Sequence, residues 1–271
     1  MLLVGAWLLA RGLGAPEHRT RLFDRCRLAH WELNGAEVTF LVLTIFFCGI
    51  IGQLAAQQLF SDTIKDSPQR AGLEVVLYGV GFHGIGLLGW PLFRILRRAL
   101  HTNYGAPPPA SIEFRREPAT KVFVHAFSAF LIALPVIALT SFAWNIVLRL
   151  LGLPNEPQDL LAVFNGVQSK PLLAAMLFVA CVLAPLNEEL LFRGAIFRFC
   201  RQRFGRAMAL LISGVLFGAL HGNWASLVPL AVLGAVLALA YERTGDIRVP
   251  IVAHGLFNLN TLVILLSGLN V

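Results

Sequence analysis

AMALLISGVLFGALHGNWASLVPLAVLGAVLALAY, residues 207–241, runs for 35 positions without Asp, Glu, Lys or Arg. A helix needs about 20 apolar residues to cross the hydrocarbon layer, so this run is too long for one crossing. Its middle, His221-Gly222-Asn223-Trp224-Ala225-Ser226, has turn chemistry. The stretch therefore reads as a helical hairpin in lipid, where backbone has to close its own hydrogen bonds.

Elsewhere in the chain, uncharged runs occupy Val38–Ser61 (24 residues), Val75–Phe93 (19), Val122–Leu148 (27), Pro171–Asn187 (17) and Val249–Val271 (23), each long enough for one crossing or nearly so. The charge-free opening Met1–Ala10 adds a short first helix. It lacks the preceding basic region and the small-x-small site of a signal peptide. The fold expected is an all-α polytopic membrane bundle of about eight transmembrane helices, seven if the first segment does not insert. Composition agrees: 57% of the 271 residues are hydrophobic, 14% are charged, and mean hydropathy is +0.71.

The net charge of +7 does not signal a nucleic-acid partner, because the basic residues lie between apolar segments. Arg19, Arg21, Arg25 and Arg27 follow helix one; Arg94, Arg97, Arg98, Arg115, Arg116 and Lys121 follow helix three; Arg198, Arg201, Arg203 and Arg206 follow helix five. Connections after helices two, four and six carry few. The positive-inside bias then places the loops near residues 14–35, 94–121, 194–206 and 242–249 in the cytoplasm and both termini outside. Residues 1–169 read as N-terminal helices one to four and residues 170–271 as the core helices five to eight, together one integrated membrane domain. Pro107-Pro108-Pro109 marks an extended connector. Cys26, Cys48, Cys181 and Cys200 show no CxxC spacing and no disulfide framework.

An ionisable group in lipid costs about 2.5 to 3.5 kcal/mol, so each one asks for a reason. Glu188 and Glu189 are adjacent and point about 100° apart on a helix, which gives them separate roles. Glu189 has Arg193 at i+4 for an ion pair, whereas Glu188 has only Phe192 there. Glu188 is the less compensated acid and the candidate general base; a structural ion pair with an interfacial acid is the plainer alternative. His221 follows Phe217 by four residues at the end of a helix whose Ser213, Gly214, Gly218 and Ala219 suggest a packed seam. His254 and Asn258 share a face of the last helix and suit an oxyanion, although an interhelical hydrogen-bonding pair would look the same. A carboxylate, two histidines and an amide can activate a water without a serine or cysteine nucleophile. Zinc on Glu188, His221 and His254 is the competing arrangement, but HExxH is absent and no metal or other cofactor is required.

These motifs, Glu188-Glu189-x-x-x-Arg193, Phe217-x-x-x-His221 and His254-x-x-x-Asn258, resemble in order and spacing those of the CAAX protease and bacteriocin-processing (Abi, CPBP) family over roughly residues 170–262. The resemblance implies an intramembrane endopeptidase in which Glu188 and His221 activate water, His254 and Asn258 stabilise the oxyanion, and Glu189, Arg193 and Phe217 support the site. The expected partner is a membrane-associated protein or peptide, prenylated CAAX proteins being one class, approached from the cytoplasmic side of a bacterial plasma membrane. Oligomeric state stays open. A non-catalytic scaffold of the same fold, binding a peptide or partner helix in immunity or secretion, is the alternative; a proton-coupled transporter is disfavoured because no inverted repeat is seen.

Straight helices would leave Glu188, His221 and His254 at different depths. The expected remedy is a helix five that continues past Arg193 toward Phe199, a helix six that starts before Ala207, and a kink at Pro185. On helix three, Glu74 reads as interfacial. His83, flanked by Gly81, Gly84 and Gly86, reads as packing on a neighbouring helix, with a place on the substrate path as the lesser alternative.

Overall fold

A computed structural model describes residues 1–14, 26–28, 31, 33–103, 114–156 and 159–268. Among these every regular element is a helix. The proline connector at residues 107–109 and the arginines at positions 19, 21 and 25 lie outside the described residues.

α1 is Leu2–Gly14 and α2 is Gly35–Ile64. α3 runs from Arg70 to Asn103 through a π-turn at Val80–Gly84. α4 is Ala119–Leu151 and α5 is the short Asp159–Gly166. α6 begins at Lys170 and continues through π-turns at Val179–Leu183 and Leu190–Phe197. The helical stretch Arg198–Ala219 is broken at Gly205 (φ 78°, ψ 178°), which ends α6 and starts α7 at residues 206–219. α8 is Trp224–Thr244 and α9 is Arg248–Leu266.

Among the described residues six continuous stretches are long and apolar enough to cross a membrane, one of them Lys170–Ala219. Its break at Gly205 divides it into α6 and α7, and α1 packs on α4, where Gly5 meets the Leu131 carbonyl. The expected set of about eight helices is therefore present, with α1 shorter than a full crossing. Helix five does continue past Arg193, and helix six starts at 206, as a shared depth for the polar residues requires.

Local chemistry explains the ends. Asn34 and Glu37 form a reciprocal capping box on α2. Asn223 caps α8 through the Ser226 amide, and the glycines at 152 and 245 close α4 and α8 in the left-handed region. The α7–α8 hairpin packs through its small residues: a Cβ at Gly218 would strike the Leu227 carbonyl, and one at Gly214 the Ala231 carbonyl. Ser213, Gly214 and Gly218 are buried in that seam, whereas Ala219 is exposed, so the seam ends one residue earlier than the sequence suggested. Large apolar side chains face outward instead, Leu139 at 70% and Phe142 at 68% exposure, because lipid is as apolar as the interior.

One end of the bundle is knit by charge. Glu242 accepts from Arg201 at 2.5 Å and Arg206 at 2.8 Å, Glu117 pairs with Arg27 and Arg115, and the Arg27 amide donates to the Glu242 carbonyl at 2.8 Å. Asp246 accepts from the Glu117 amide and from Arg248. Burial alone would raise its carboxyl, but the Arg248 guanidinium and these amides together hold it below its ordinary 3.8.

Candidate active site

α6 carries both adjacent acids in the segment Ala184–Glu189, between its two π-turns. The helical step separates them as expected. Glu189 is fully buried, while Glu188 keeps 20% side-chain exposure and faces a cavity of about 1000 Å³.

Glu189 does more than pair along its helix. Its Oε1 accepts from Arg193 Nη1 at 2.8 Å and from His254 Nδ1 on α9 at 2.9 Å. Arg193 Nη2 donates to the Gly234 carbonyl of α8 at 3.1 Å, and its guanidinium lies 4.5 Å from the Phe217 ring centre. Burying two charges costs several kcal/mol, and Glu189 Oε2 and Arg193 Nε have no hydrogen-bond partner. Hydrophobic residues would fill this volume with less desolvation. What the pair supplies in return is an anion that fixes the tautomer and angle of the His254 ring.

The two histidines differ in what their Nδ1 atoms touch. His254 donates Nδ1–H to a carboxylate, which leaves Nε2 facing Glu188 with Oε2 3.9 Å away. That is beyond a direct hydrogen bond, yet both atoms can reach one water. His221, in the turn after α7, has Nδ1 2.8 Å from the Phe217 carbonyl. A carbonyl only accepts, so Nδ1 carries the proton and Nε2 is left with its lone pair.

Asn258 donates from Nδ2 to the Ala180 carbonyl at 2.8 Å. Pro185 has no N–H, and in the π register of Val179–Leu183 its partner five residues back is Ala180, so that carbonyl is released by the proline. Asn258 supplies the missing donor. Gly255 sits against the neighbouring Cys181 carbonyl, and only a residue without Cβ lets α9 approach this closely.

Glu188, His221, His254 and Asn258 all line the same cavity. Glu189, Arg193 and Phe217 are buried behind its wall. Phe217 is the hub: its ring centre is 5.0 Å from that of His221, 5.5 Å from that of His254 and 5.1 Å from that of Phe192. Among the described residues no three His, Cys, Asp or Glu side chains are grouped to hold a metal ion.

His83 also lines the cavity, the lesser of its two expected places, and its Nδ1 has no hydrogen-bond partner. Its glycines do serve close packing, since Gly81 lies against Gly52 of α2. His83 lies within the π-turn at Val80–Gly84. Glu74 is half-buried, pairs with Arg70 at 2.7 Å and lines the cavity near its rim. Sequence reasoning missed Asn187, which is 3% exposed and packs against Gly86 with its Oδ1 unpartnered. It also missed the polar rim of Ser141, Asn145, Asn155 and Asn223. Neutral polar residues give no signal in a search for buried charge.

The C-terminal part of the chain is similar to known proteins. Residues 170–260 match the model of the type II CAAX prenyl endopeptidase Rce1-like family. The chain is 32% identical over 125 residues to a Bacillus subtilis (strain 168) protein named "Putative membrane peptidase YdiL", covering 46% of this chain and 49% of that one. It is 35% identical over 111 residues to an Escherichia coli protein described as an uncharacterized 24.3 kDa protein, covering 39% of this chain and 50% of the relative. The chain spans about half the length of these curated relatives. No solved structure matches it. The resemblance carried by the three motifs holds over residues 170–260, and the chain is a multi-pass membrane protein whose core matches a peptidase family.

Proposed function

We propose that this chain, whose residues 170–260 match the Rce1-like endopeptidases, hydrolyses peptide bonds of a membrane-associated substrate through a water activated by Glu188. The observation that carries this reading is the separation of the two acids: Glu189 spends its charge on Arg193 and His254, while Glu188, with no Lys or Arg contact among the described residues, faces the cavity.

In the proposed reaction Glu188 takes one proton from a water, and His221 Nε2 accepts the other water hydrogen and aims the oxygen lone pair. The oxygen bonds to the peptide carbonyl carbon, and the carbonyl oxygen becomes an oxyanion. His254 is suited to meet it: the Glu189 carboxylate holds Nδ1–H and fixes the ring with Nε2 facing the site, where a protonated Nε2 donates to the oxyanion. Asn258 keeps one amide hydrogen on the Ala180 carbonyl and has a second for the same oxyanion or for the substrate backbone. Collapse breaks the C–N bond, and the proton on Glu188 passes to the leaving amine. Phe217, between the imidazoles, excludes water from their inner faces. No step uses a metal. A bacterial plasma membrane is the proposed location.

The test compares the purified protein with Glu188→Gln on a library of membrane-anchored peptides, with and without a chelator. Cleavage that survives the chelator and is lost in the variant is expected. Loss with chelator alone would move the reaction to a metal, and no cleavage by the parent under any condition would leave the scaffold reading.

A further inference from the structure

The two ends of the bundle differ sharply in charge. The connections at one end carry Arg115, Arg116, Arg201, Arg203, Arg206 and Arg243 besides the arginines that end α3. They form a single surface, since Arg27 reaches both Glu242 and Glu117, and Glu117 reaches Asp246. The connections at the other end carry Lys65, Arg70, Arg149 and Lys170, and two of these are met on the spot by Asp62 and Glu74. The Lys and Arg bias of short loops sets membrane orientation, which assigns the arginine surface to the cytoplasm.

The cavity extends toward the other end. Its lining includes Ala71, Asn145, Asn155 and Asn223, which lie near the connections between α2 and α3, α4 and α5, and α7 and α8. Cross-links at that end tie the rim together: Trp144 Nε1 donates to the Trp224 carbonyl at 2.7 Å and Asn223 to the Glu156 carbonyl at 3.1 Å. No described residue from 26–28, 114–118, 198–206 or 242–248 lines the cavity. A chain entering from the arginine surface would have to pass the ion pairs of Glu242 and the buried Glu189–Arg193 pair before it met Glu188.

We infer that the site is served from the extracytoplasmic face, so that its substrates are membrane-anchored or exported chains that present a peptide segment from outside the cell. The lipidated tail of a cytoplasmic protein approaches the wrong end. This inference rests on the peptidase reading for the word substrate, but the side on which the cavity opens does not.

The experiment starts from the full chain with Cys26, Cys48, Cys181 and Cys200 changed to Ala, expressed in bacterial cells. Single cysteines are introduced at exposed positions: Asp66→Cys and Glu156→Cys at the rim end, Arg203→Cys at the arginine end. A membrane-impermeant maleimide is expected to label the first two in intact cells and the third only after permeabilisation. The reverse pattern overturns the inference, and two rim positions guard against one variant failing to accumulate. In parallel, one anchored peptide reporter is built with its segment outside and again with it inside. Glu188-dependent cleavage of the outer reporter supports the inference, and cleavage of the inner one alone overturns it. If neither reporter is cut while labelling matches the expected pattern, the peptidase reading fails and the orientation stands.

Discussion

Glu242 and Glu188 are both glutamates near an arginine-rich stretch, and the bundle treats them in opposite ways. Glu242 is 1% exposed and takes two guanidiniums, whereas Glu188 keeps a fifth of its side-chain surface and has only an imidazole, 3.9 Å away. At the arginine surface each buried acid is matched, and the result is a clamp joining the segments around residues 27, 117, 201 and 242. At the cavity one acid is matched so that its neighbour need not be. Burial with a partner marks a structural carboxylate, and access to water without one marks a reactive carboxylate.

The largest effect should come from Glu188→Gln. Removing a general base lowers kcat by about 10²–10⁴-fold, and thermal unfolding in detergent should be unchanged because no hydrogen bond is lost. A variant that unfolds earlier would show Glu188 to be a structural acid like Glu242. His254→Ala should come next, with kcat down by about 10²–10³-fold as an oxyanion donor disappears. It should also destabilise the protein, since Glu189 and Arg193 lose the third member of their set. A loss of stability without a loss of kcat would remove His254 from the chemistry.

Glu242→Ala is the converse experiment. It strands Arg201 and Arg206, each about a quarter exposed, and should cost about 2–3 kcal/mol while leaving kcat of the folded fraction unchanged. The smallest effect is a pH dependence. Asp246 has a folded pKa below 3.8, so its contribution is full above that value and is lost as pH falls through the lower folded value. Asp246→Asn should therefore melt below the parent at neutral pH, with the gap closing under acid. A gap that persists at low pH would assign the effect to packing instead of ionisation.

Much of this was legible in the chain itself. The uncharged runs, the hairpin at residues 207–241 and the alternation of basic loops needed only the dimensions and dielectric of a bilayer. Likewise the unequal roles of Glu188 and Glu189 came from Arg193 standing four residues away. The glycine and serine positions of the α7–α8 seam were readable for the same local reason, within one residue.

Contacts between elements far apart in sequence were not legible. Nothing local says that Glu189 reaches His254 across 65 positions, that Asn258 answers the proline-released carbonyl of Ala180, or that Phe217 contacts both histidines. The π-turns belong here too: each changes the helical register locally, and sequence periodicity does not mark them. Periodicity and charge determined the membrane helices and the candidate chemistry, because those depend on each residue and its near neighbours. Which end of the bundle holds the cavity, and which acid faces it, was decided only when the helices packed.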